Sequence, residues 1–412
     1  MSRESGNTEF AHVPSNLTVI FKGSDRCNAG CHFCSVGDPE GKIIEREDVV
    51  IVVSRLAEYL TAEGIRSLTF TFHGGEPTLL GAELIRFICE RVSALPVKVT
   101  FRMQSNLIHM PDAVRKLVEE YHIKVGTSID PIGGDRVDAQ GNDAFPTWLA
   151  GYLKMARNGA IPGGIYVVTR SGLGRAAEVY RIAQAIGAAT GDRFGIQINP
   201  VYAQGRAADG ERRLLLTPEE FGHFLVDIWR IWEENDRDIS LTPISMFAEC
   251  FPMPLTPTRR LPCTFNGICS RDHVGINYNL EVAGCGRRLD SRNFVGNLKE
   301  ATLLEILSAS PEKKIVDERA ARLRDTECLD CRFFVICHGG CHDDAELAHG
   351  DVSHRFPWCE SYRMLFGEME KAYSSREQAQ RPFRNVGFDT RTSVPLSMLA
   401  TTDPKTAPDW AQ

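Results

Sequence analysis

The sequence lacks long apolar runs, an excess of basic residues and a secretory start. No segment holds eighteen consecutive apolar residues, and the opening Met1-Ser-Arg-Glu-Ser-Gly does not have the charged-then-apolar order of a signal peptide. We therefore expect a cytoplasmic protein that makes no membrane contact. Acidic residues outnumber Lys and Arg by 54 to 47, and the net charge of -7 argues against nucleic acid as a partner.

The sequence is also too long and too apolar to be a small scaffold held by disulfides. Its 412 residues, of which 43% are hydrophobic and 25% charged, can bury a large core and indicate two or three domains. Thiols in a reducing cytoplasm are read first as metal ligands rather than as disulfides. The 13 cysteines are therefore the most informative residues of the chain.

Short β-branched segments alternate with amphipathic helical patterns in the first half of the chain. Six such units in a row predict an α/β fold, a partial (β/α)6 TIM-like barrel whose active site lies at the carboxyl ends of the strands. The predicted strands are Leu17–Lys22, Ser67–Phe72, Lys98–Ser105, Lys124–Asp130, Gly164–Thr169 and Phe194–Asn199, and the predicted helices span 46–63, 81–93, 111–121, 146–158, 175–187 and 217–235.

Eleven of the cysteines form two groups. Cys27, Cys31 and Cys34, which we call the triad, follow the first strand. They supply three thiolates, enough for a 4Fe-4S cluster with one open iron. A zinc site is the alternative, but structural zinc takes four protein ligands, and His32 inside the loop is badly placed to be the fourth. The second group has eight thiolates, the number that two further clusters need: Cys263, Cys269, Cys285, Cys328, Cys331, Cys337, Cys341 and Cys359.

The Cys-x3-Cys-x2-Cys spacing, with Phe33 before the last cysteine, resembles the signature of the radical S-adenosylmethionine (SAM) superfamily. The resemblance implies that the open iron binds the amino and carboxylate groups of SAM. It also implies that cleavage of SAM releases a 5'-deoxyadenosyl radical, with electrons from an external donor of the flavodoxin or ferredoxin type.

The turn Gly74-Gly75-Glu76-Pro77 follows the second strand and resembles the family's motif for the amino group of SAM. Its glycines allow close approach of the backbone to a ligand, and Glu76 can accept a hydrogen bond from an ammonium group. Taken alone, such a sequence is more often only a turn. His73, directly before it, is our candidate for a catalytic acid or base.

Four further residues at the strand ends are candidate SAM contacts. Ser128 and Arg136 resemble the stretch that in sulfatase-maturating enzymes holds the SAM ribose and carboxylate, although a surface ion pair is the alternative for Arg136. Gln104 ends the third strand. Gln197 in the sixth strand is a candidate for facing adenine or, alternatively, a polar barrel interior.

The order of the second cysteine group resembles the SPASM domain of radical SAM enzymes that modify peptides and proteins. That resemblance implies one auxiliary cluster on Cys263, Cys269, Cys285 and Cys341, and another on Cys328, Cys331, Cys337 and Cys359. A pair of zinc ribbons is the alternative. We expect an N-terminal extension at 1–16, a radical SAM core at 17–240, a SPASM domain at 250–370 held by metal rather than by a large core, and a tail at 375–412 with few apolar residues.

The resemblance also suggests a function. In sulfatase-maturating enzymes an aspartate follows the third auxiliary ligand, and here that position is Gly286, which disfavours formylglycine formation. His73 and the segment 339–344 look like cyclophane-forming maturases of ribosomally made peptides. We therefore expect hydrogen abstraction from a precursor peptide and a crosslink or another oxidative change.

Three alternatives to this function remain. They are an enzyme acting on a small metabolite, a maturase of a sulfatase-type protein, and a zinc-binding protein without catalysis. Only sixteen residues precede the first strand, so leader recognition is expected from the barrel and SPASM surface or from a separate protein.

Overall fold

The computed structural model describes residues 16–35, 41–130, 132, 134–156, 163–191, 193–209, 212–256, 261–267, 272–287 and 294–373. The strands are β1 (Asn16–Lys22), β2 (Ser67–His73), β3 (Lys98–Ser105), β4 (Lys124–Ser128), β5 (Gly163–Val168), β6 (Gly195–Pro200), β7 (Ser240–Thr242), β8 (His273–Asn277), β9 (Glu281–Ala283) and β10 (Phe294–Asn297).

Helices follow most of the strands. They are α1 (Arg46–Ala62), α2 (Ala82–Ser93), α3 (Asp112–Glu120), α4 (Phe145–Ala156), α5 (Ala176–Thr190), α6 (Arg206–Asp209), α7 (Pro218–Glu234), α8 (Ile244–Ala248), α9 (Cys263–Asn266), α10 (Leu303–Ala309), α11 (Pro311–Arg324), α12 (Phe334–Cys337), α13 (His342–His349) and α14 (Cys359–Ala372). Thr217 caps α7 with a capping box to Glu220, which satisfies the free N–H groups of the first turn.

The ten strands form one sheet in the order β10-β9-β8-β1-β2-β3-β4-β5-β6-β7. Strands β1 to β7 run parallel in chain order, and β8 pairs in parallel with β1. Because β1 has β2 on one side and β8 on the other, the sheet is not closed between its first and last parallel strands. The six predicted strands and their order are thus present, and β7 extends the parallel run.

Successive side chains along each strand point to opposite faces of the sheet, and the two faces differ in burial. Leu17, Val19 and Phe21 of β1 are at most 1% exposed and belong to the core that lies under the helices. The intervening residues of β1 to β4 are mostly half-buried, which leaves a more polar concave face. This concave face receives the side chains predicted at the strand ends.

Most predicted bounds differ slightly from those of the structure. The fourth strand ends at Ser128 rather than at Asp130, because the chain turns there toward the loop that contacts the cysteines. Helix α4 is described from Phe145 to Ala156, and the remaining residues of the predicted 146–158 helix lie outside the described residues. Cys269, the predicted extension before residue 16 and the predicted tail also lie outside them.

The region after residue 250 shares a core with the barrel, which corrects the expectation that metal alone would hold it. Phe247, Phe265, Tyr362 and Phe366 form edge-to-face or tilted ring pairs with centroids 4.7 to 6.0 Å apart. Helix α14 packs along α7. Its buried residues Tyr362, Leu365, Phe366 and Met369 have the spacing of an amphipathic helix, so the signal was present in the sequence.

No helix in the described part of the chain is long and apolar enough to cross a membrane.

Candidate active site

The loop with Cys27, Cys31 and Cys34 leaves β1 at the carboxyl edge of the sheet. A short segment at 135–138, which we call the clamp segment, pairs with this loop: the N–H groups of Gly30 and His32 donate to the carbonyl oxygens of Val137 and Asp135 at 2.9 and 2.8 Å. Asp135 is itself held by the hydroxyls of Thr169 and Ser171, at 2.7 and 2.9 Å, after β5. The cysteine loop is therefore fixed against two separate strand ends.

Two N–H donors point at sulfur atoms of this loop. Asn106 Nδ2 lies 3.8 Å from Cys27 Sγ, and Arg136 Nη1 lies 3.7 Å from Cys31 Sγ. Burial raises the pKa of Cys27 to about 11, and burial also raises the pKa of Cys31, against the lowering effect of Arg136. An arrangement of buried thiols with N–H donors suits thiolates bound to metal, whose charge the metal and the donors stabilise.

Arg136 does not form a surface ion pair, which was one alternative, because its ion pair with Asp130 is buried. It is 5% exposed, and its Nε and Nη2 lie 2.7 and 2.5 Å from Oδ2 of the buried Asp130. Its guanidinium carbon is 5.4 Å from the centre of the Phe33 ring. Asp130 thus holds Nε and Nη2, while the contact of Arg136 with the carboxylate of SAM remains a prediction.

The two glycines of the Gly74-Gly75-Glu76-Pro77 turn approach protein backbone in the structure. A Cβ atom on Gly74 would stand 2.2 Å from the Ser24 carbonyl oxygen, and one on Gly75 would stand 2.2 Å from the Arg26 carbonyl oxygen. The N–H groups of Gly75 and Glu76 donate to those same two oxygens at 3.0 and 2.8 Å. Glycine is therefore required here to join the turn to the start of the cysteine loop.

The Glu76 carboxylate accepts hydrogen bonds from three neighbouring protein groups. It is 1% exposed and accepts hydrogen bonds from Thr78 N (3.1 Å), Ser105 Oγ (2.9 Å) and Asn106 N (2.7 Å). Burial raises the pKa of Glu76, and these donors oppose the rise. Glu76 thus ties the turn after β2 to the end of β3, and its contact with an ammonium group remains a prediction. Pro77 begins the 3-10 turn Pro77–Leu80 that follows.

Replacing Glu76 with Gln is expected to lower the stability of the fold by about 1 to 3 kcal/mol, because one carboxylate oxygen becomes an NH2 group facing an N–H or O–H donor. Urea unfolding of the two proteins, side by side, measures the difference. Glu83→Gln is the matched control, since the Glu83 side chain is 93% exposed. Equal stability of Glu76→Gln and wild type would show that Glu76 is not the anchor described here.

Three predicted residues share the concave face near this turn. Gln104 Nε2 donates to Ser128 Oγ at 3.3 Å, so the structure brings these two candidates together. His73 ends β2 opposite Lys22 of β1, and burial together with the charge of Lys22 lowers the pKa of His73 to about 4. The imidazole is therefore neutral at pH 7 and gains a proton only below that pKa. In that state it can accept a proton or a hydrogen bond.

Gln197 lies apart from these residues. It lines a solvent-open space of about 390 Å3 at the end of β6, together with residues from the second half of the chain such as Asp344, Trp358 and Tyr362. Its amide donates to Asn199 Oδ1 at 3.3 Å. Contact with adenine is not visible in this arrangement and remains a prediction.

The second group of cysteines separates into two sets in space. Burial raises the pKa of Cys328 to about 11, and negative charge on Cys359 and Cys331 adds to the rise. Burial likewise raises the pKa of Cys337, with Cys359, Cys328 and Cys331 as neighbouring charges. Each of these thiols is thus close to the others, which is the grouping that the resemblance implies.

Cys263, Cys285 and Cys341 belong to the other set. Burial raises the pKa of Cys285, and the charges of Asp343 and Cys341 add to the rise. Arg287 and Asp343 act electrostatically on both Cys263 and Cys285. All three thiols therefore interact with Arg287, while their predicted fourth partner, Cys269, lies outside the described residues.

A buried arginine organises the loop before Cys341. Arg319 of α11 is 5% exposed, and its guanidinium donates to the carbonyl oxygens of Gly339 (3.0 Å), Gly340 (2.7 Å), Val352 (2.7 Å) and His354 (2.5 Å). It therefore joins the turn that leads into Cys341 to the segment that leads toward Cys359. One side chain fixes the approach to both sets of thiols.

Arg319→Lys is expected to lower the iron content that the second cysteine group retains and to destabilise the protein by about 1 to 3 kcal/mol, because an ammonium group cannot reach four carbonyls at once. Iron analysis and chemical unfolding of reconstituted protein measure both effects. Arg322→Lys, an exposed position on the same helix, is the matched control. Full iron content in Arg319→Lys would contradict the role assigned to this residue.

Within the described ranges, no group of three or more His, Cys, Asp and Glu side chains has the arrangement needed to hold one metal ion. Thiolates of a 4Fe-4S cluster each bind a different iron, so they stand farther apart than the ligands of one zinc ion, whose sulfurs lie about 2.3 Å from it. The arrangement of buried, neighbouring thiols with N–H donors aimed at sulfur fits the cluster chemistry.

Two residues that contact the candidate site were not among the site residues predicted from the sequence. Asn106 and Asp130 lie just beyond β3 and β4, where polar side chains meet at the carboxyl edge of a parallel sheet. Asn106 contacts Cys27, its side chain also donates to Asn28 Oδ1 at 2.7 Å, and Asp130 holds Arg136. Their position after a strand was the available signal.

Comparison with known proteins agrees with this site. Residues 21–137, which include the cysteine loop, the glycine turn and Arg136, match the family model for the Radical SAM superfamily. The chain thus carries a radical SAM domain, and the resemblance predicted from its motifs is confirmed.

One curated relative is a serine-type anaerobic sulfatase-maturating enzyme of Klebsiella aerogenes, which is 23% identical over 83% of this chain and 82% of its own length. The solved structure of native anSMEcpe with bound AdoMet matches with a TM-score of 0.69 at 20% identity, over 85% of this chain and 96% of that one. Streptococcus suis SuiB bound to precursor peptide SuiA matches with a TM-score of 0.58 at 13% identity, over 84% of this chain and 76% of that one. The predicted α/β radical SAM fold is confirmed. The chain is similar in sequence to the sulfatase-maturating enzyme and similar in fold to both solved structures.

Proposed function

We propose that this enzyme is a radical SAM/SPASM peptide maturase that acts in the cytoplasm on a ribosomally made precursor peptide. The observation that carries the proposal is the fixed cysteine loop, in which N–H donors from Asn106 and Arg136 point at the sulfurs of Cys27 and Cys31. A site built for thiolates, within a match to the Radical SAM superfamily, supports a bound cluster.

In this proposal Cys27, Cys31 and Cys34 hold a SAM-binding 4Fe-4S cluster. When bound, cluster and SAM supply an electron and a carbon-centred oxidant for hydrogen abstraction, which an external donor of the flavodoxin or ferredoxin type sustains. The concave face supplies Gln104, Ser128 and neutral His73 to orient SAM and substrate.

The second cysteine group supports two auxiliary clusters in the same proposal. Its thiols divide into the two sets described above, with Cys269 assigned to the set of Cys263, Cys285 and Cys341. Four thiolates per cluster would leave no iron open to substrate, which suits electron transfer. Oxidation of the substrate radical releases one electron, and these clusters are the proposed acceptor.

A peptide substrate is favoured over a small metabolite by the relatives. The fold extends over 84% of the chain to SuiB, whose structure holds the precursor peptide SuiA. A separate leader-recognition protein is a further proposed partner. The second candidate function is maturation of a sulfatase-type protein, which the sequence similarity over 83% of the chain favours.

Gly286 distinguishes the two candidates. A Cβ atom on Gly286 would stand 2.2 Å from the Cβ atom of Ile20 in β1, so this position has no room for the aspartate that the sulfatase-maturating enzymes carry. Gly286 therefore supplies no carboxylate at the position where the sulfatase-maturating enzymes carry their base. The packing therefore supports a different oxidation.

Co-expression with short open reading frames that neighbour its gene, followed by mass spectrometry, tests the proposed function. A precursor peptide is expected to lose about two mass units per modification, as in a crosslink or a desaturation without added atoms. A variant lacking Cys27, Cys31 and Cys34 is the control and should leave the peptide unchanged. A product heavier by a methyl group or a sulfur atom would contradict the proposal.

A further inference from the structure

Arg136 makes contacts with the protein in addition to the ligand contact that its sequence motif suggests. Its guanidinium is 5% exposed and has three sets of neighbours: the Asp130 carboxylate, the sulfur of Cys31 and the ring of Phe33. Phe33 and Cys31 both belong to the cysteine loop. The arginine is thus a link between that loop and the end of β4.

Asp130 determines where the guanidinium points. Nε and Nη2 both meet Asp130 Oδ2, at 2.7 and 2.5 Å, while the other carboxylate oxygen accepts from Val167 N at 3.4 Å. Asp130 is itself only 4% exposed. With two nitrogens held in this way, the rigid plane of the guanidinium directs Nη1 to Cys31 Sγ, 3.7 Å away.

The backbone keeps this geometry in place. The clamp segment that carries Arg136 bonds to the cysteine loop on both sides of the arginine, through Asp135 and Val137. Ala144 N also donates to the Arg136 carbonyl oxygen at 3.0 Å. Arg136 and Cys31 are therefore positioned by main-chain contacts as well as by their side chains.

We propose that Arg136 is a positioning residue for the Cys31 thiolate, to which Asp130 directs a charge-assisted N–H···S hydrogen bond. The proposal rests on the proposed function, because it requires a cluster bound at the triad. Hydrogen bonds to ligand sulfurs favour the reduced, more negatively charged state of an iron-sulfur cluster. The bond therefore makes this cluster easier to reduce.

A redox titration of the reconstituted protein tests the proposal by measuring the midpoint potential of the cluster. The titration is monitored by the part of the EPR signal of the reduced protein that changes when SAM is added. Arg136→Gln removes the positive charge and is expected to shift the midpoint potential to a more negative value. Asp130→Asn leaves an unneutralised guanidinium beside the sulfur and is expected to shift it to a more positive value. If Arg136 and Asp130 only stabilised the fold, the two variants would not shift the midpoint potential in opposite directions.

Arg86→Gln is the matched control, because Arg86 forms an exposed pair with Glu120 on the helical side of the barrel. It should leave the potential unchanged. SAM affinity, measured by calorimetry on the same variants, separates a loss of contact with SAM from a change in the potential of the cluster.

An unchanged potential in Arg136→Gln overturns the proposal, and so does a tenfold or greater loss of SAM affinity without a shift, which would assign Arg136 to the SAM carboxylate. Where Arg136→Gln does not fold, Arg136→Lys keeps the charge beside Asp130 but loses the forked donor. Arg136→Lys should move the midpoint potential to a more negative value by less than Arg136→Gln does. An unchanged midpoint potential in Arg136→Lys overturns the proposal. Wild-type protein without any SAM-sensitive signal would instead refute the proposed function itself.

Discussion

Anaerobically reconstituted protein is expected to bind about twelve iron and twelve sulfide ions per chain, because eleven thiols fall into three groups that suit 4Fe-4S clusters. Replacing Cys27, Cys31 and Cys34 together with alanine should remove about four of each ion and leave about eight. The same variant should lose every EPR change caused by SAM. Iron and sulfide analysis together with EPR spectroscopy measures both results.

Cys89→Ala is the matched control for this experiment. Cys89 is fully buried in α2 within the hydrophobic core and is not part of any thiol group in the described residues. Its replacement should leave the iron content unchanged at about twelve per chain. Stoichiometric zinc with little iron in the anaerobically purified protein would contradict the cluster assignment altogether. A triple variant that kept all its iron would contradict the role of the triad.

The second large effect is expected at Gly286. The wild-type enzyme should not form formylglycine on a serine- or cysteine-containing sulfatase peptide, and Gly286→Asp should not acquire this activity. The new side chain would meet Ile20, with contacts of 2.2 to 2.5 Å already at its Cβ atom. Overpacking of this kind usually costs about 1 to 3 kcal/mol, and more where the backbone has to move.

Gly284→Asp provides the comparison two residues away, since a Cβ atom at Gly284 meets nothing within 4 Å. Gly286→Asp should unfold at a lower urea concentration than Gly284→Asp, although both variants carry the same added charge. Mass spectrometry of the sulfatase peptide and urea unfolding are the two measurements. Formylglycine made by the wild-type enzyme would contradict the assignment, and equal stability of the two variants would contradict the steric argument.

The alternation of strands and helices made the barrel predictable from sequence. β-branched alternation in β1 and β2 and the amphipathic pattern of α7 are local signals, and consecutive strands joined by such helices usually become neighbours in the sheet. Strand β7 was missed because its three residues are too short for a periodic pattern. The pairing of β8 with β1 was missed because nothing local in either strand specifies a partner so distant in sequence.

The triad and the glycine turn were also visible in the sequence, but the contacts of Glu76 and Arg136 were not. A glutamate after two glycines looks the same whether its carboxylate meets a ligand or three protein donors. The difference depends on where Ser105 and Asn106 arrive from β3. In the same way Asp130, at the end of β4, decides that the guanidinium of Arg136 faces sulfur.

The pairing of β1 with β8 has a consequence for how this chain can be divided and how it folds. A chain ending at residue 256 would keep strands β1 to β7, yet one long side of β1 would lose the five-residue pairing with His273–Asn277. Unsatisfied N–H and C=O groups along a freshly exposed edge recruit other chains. The isolated first half should therefore aggregate where the whole chain stays monodisperse. During synthesis, β1 leaves the ribosome first, and about 250 further residues must be made before its partner β8 is available. Such a long sequence separation between paired strands favours slow folding and dependence on chaperones.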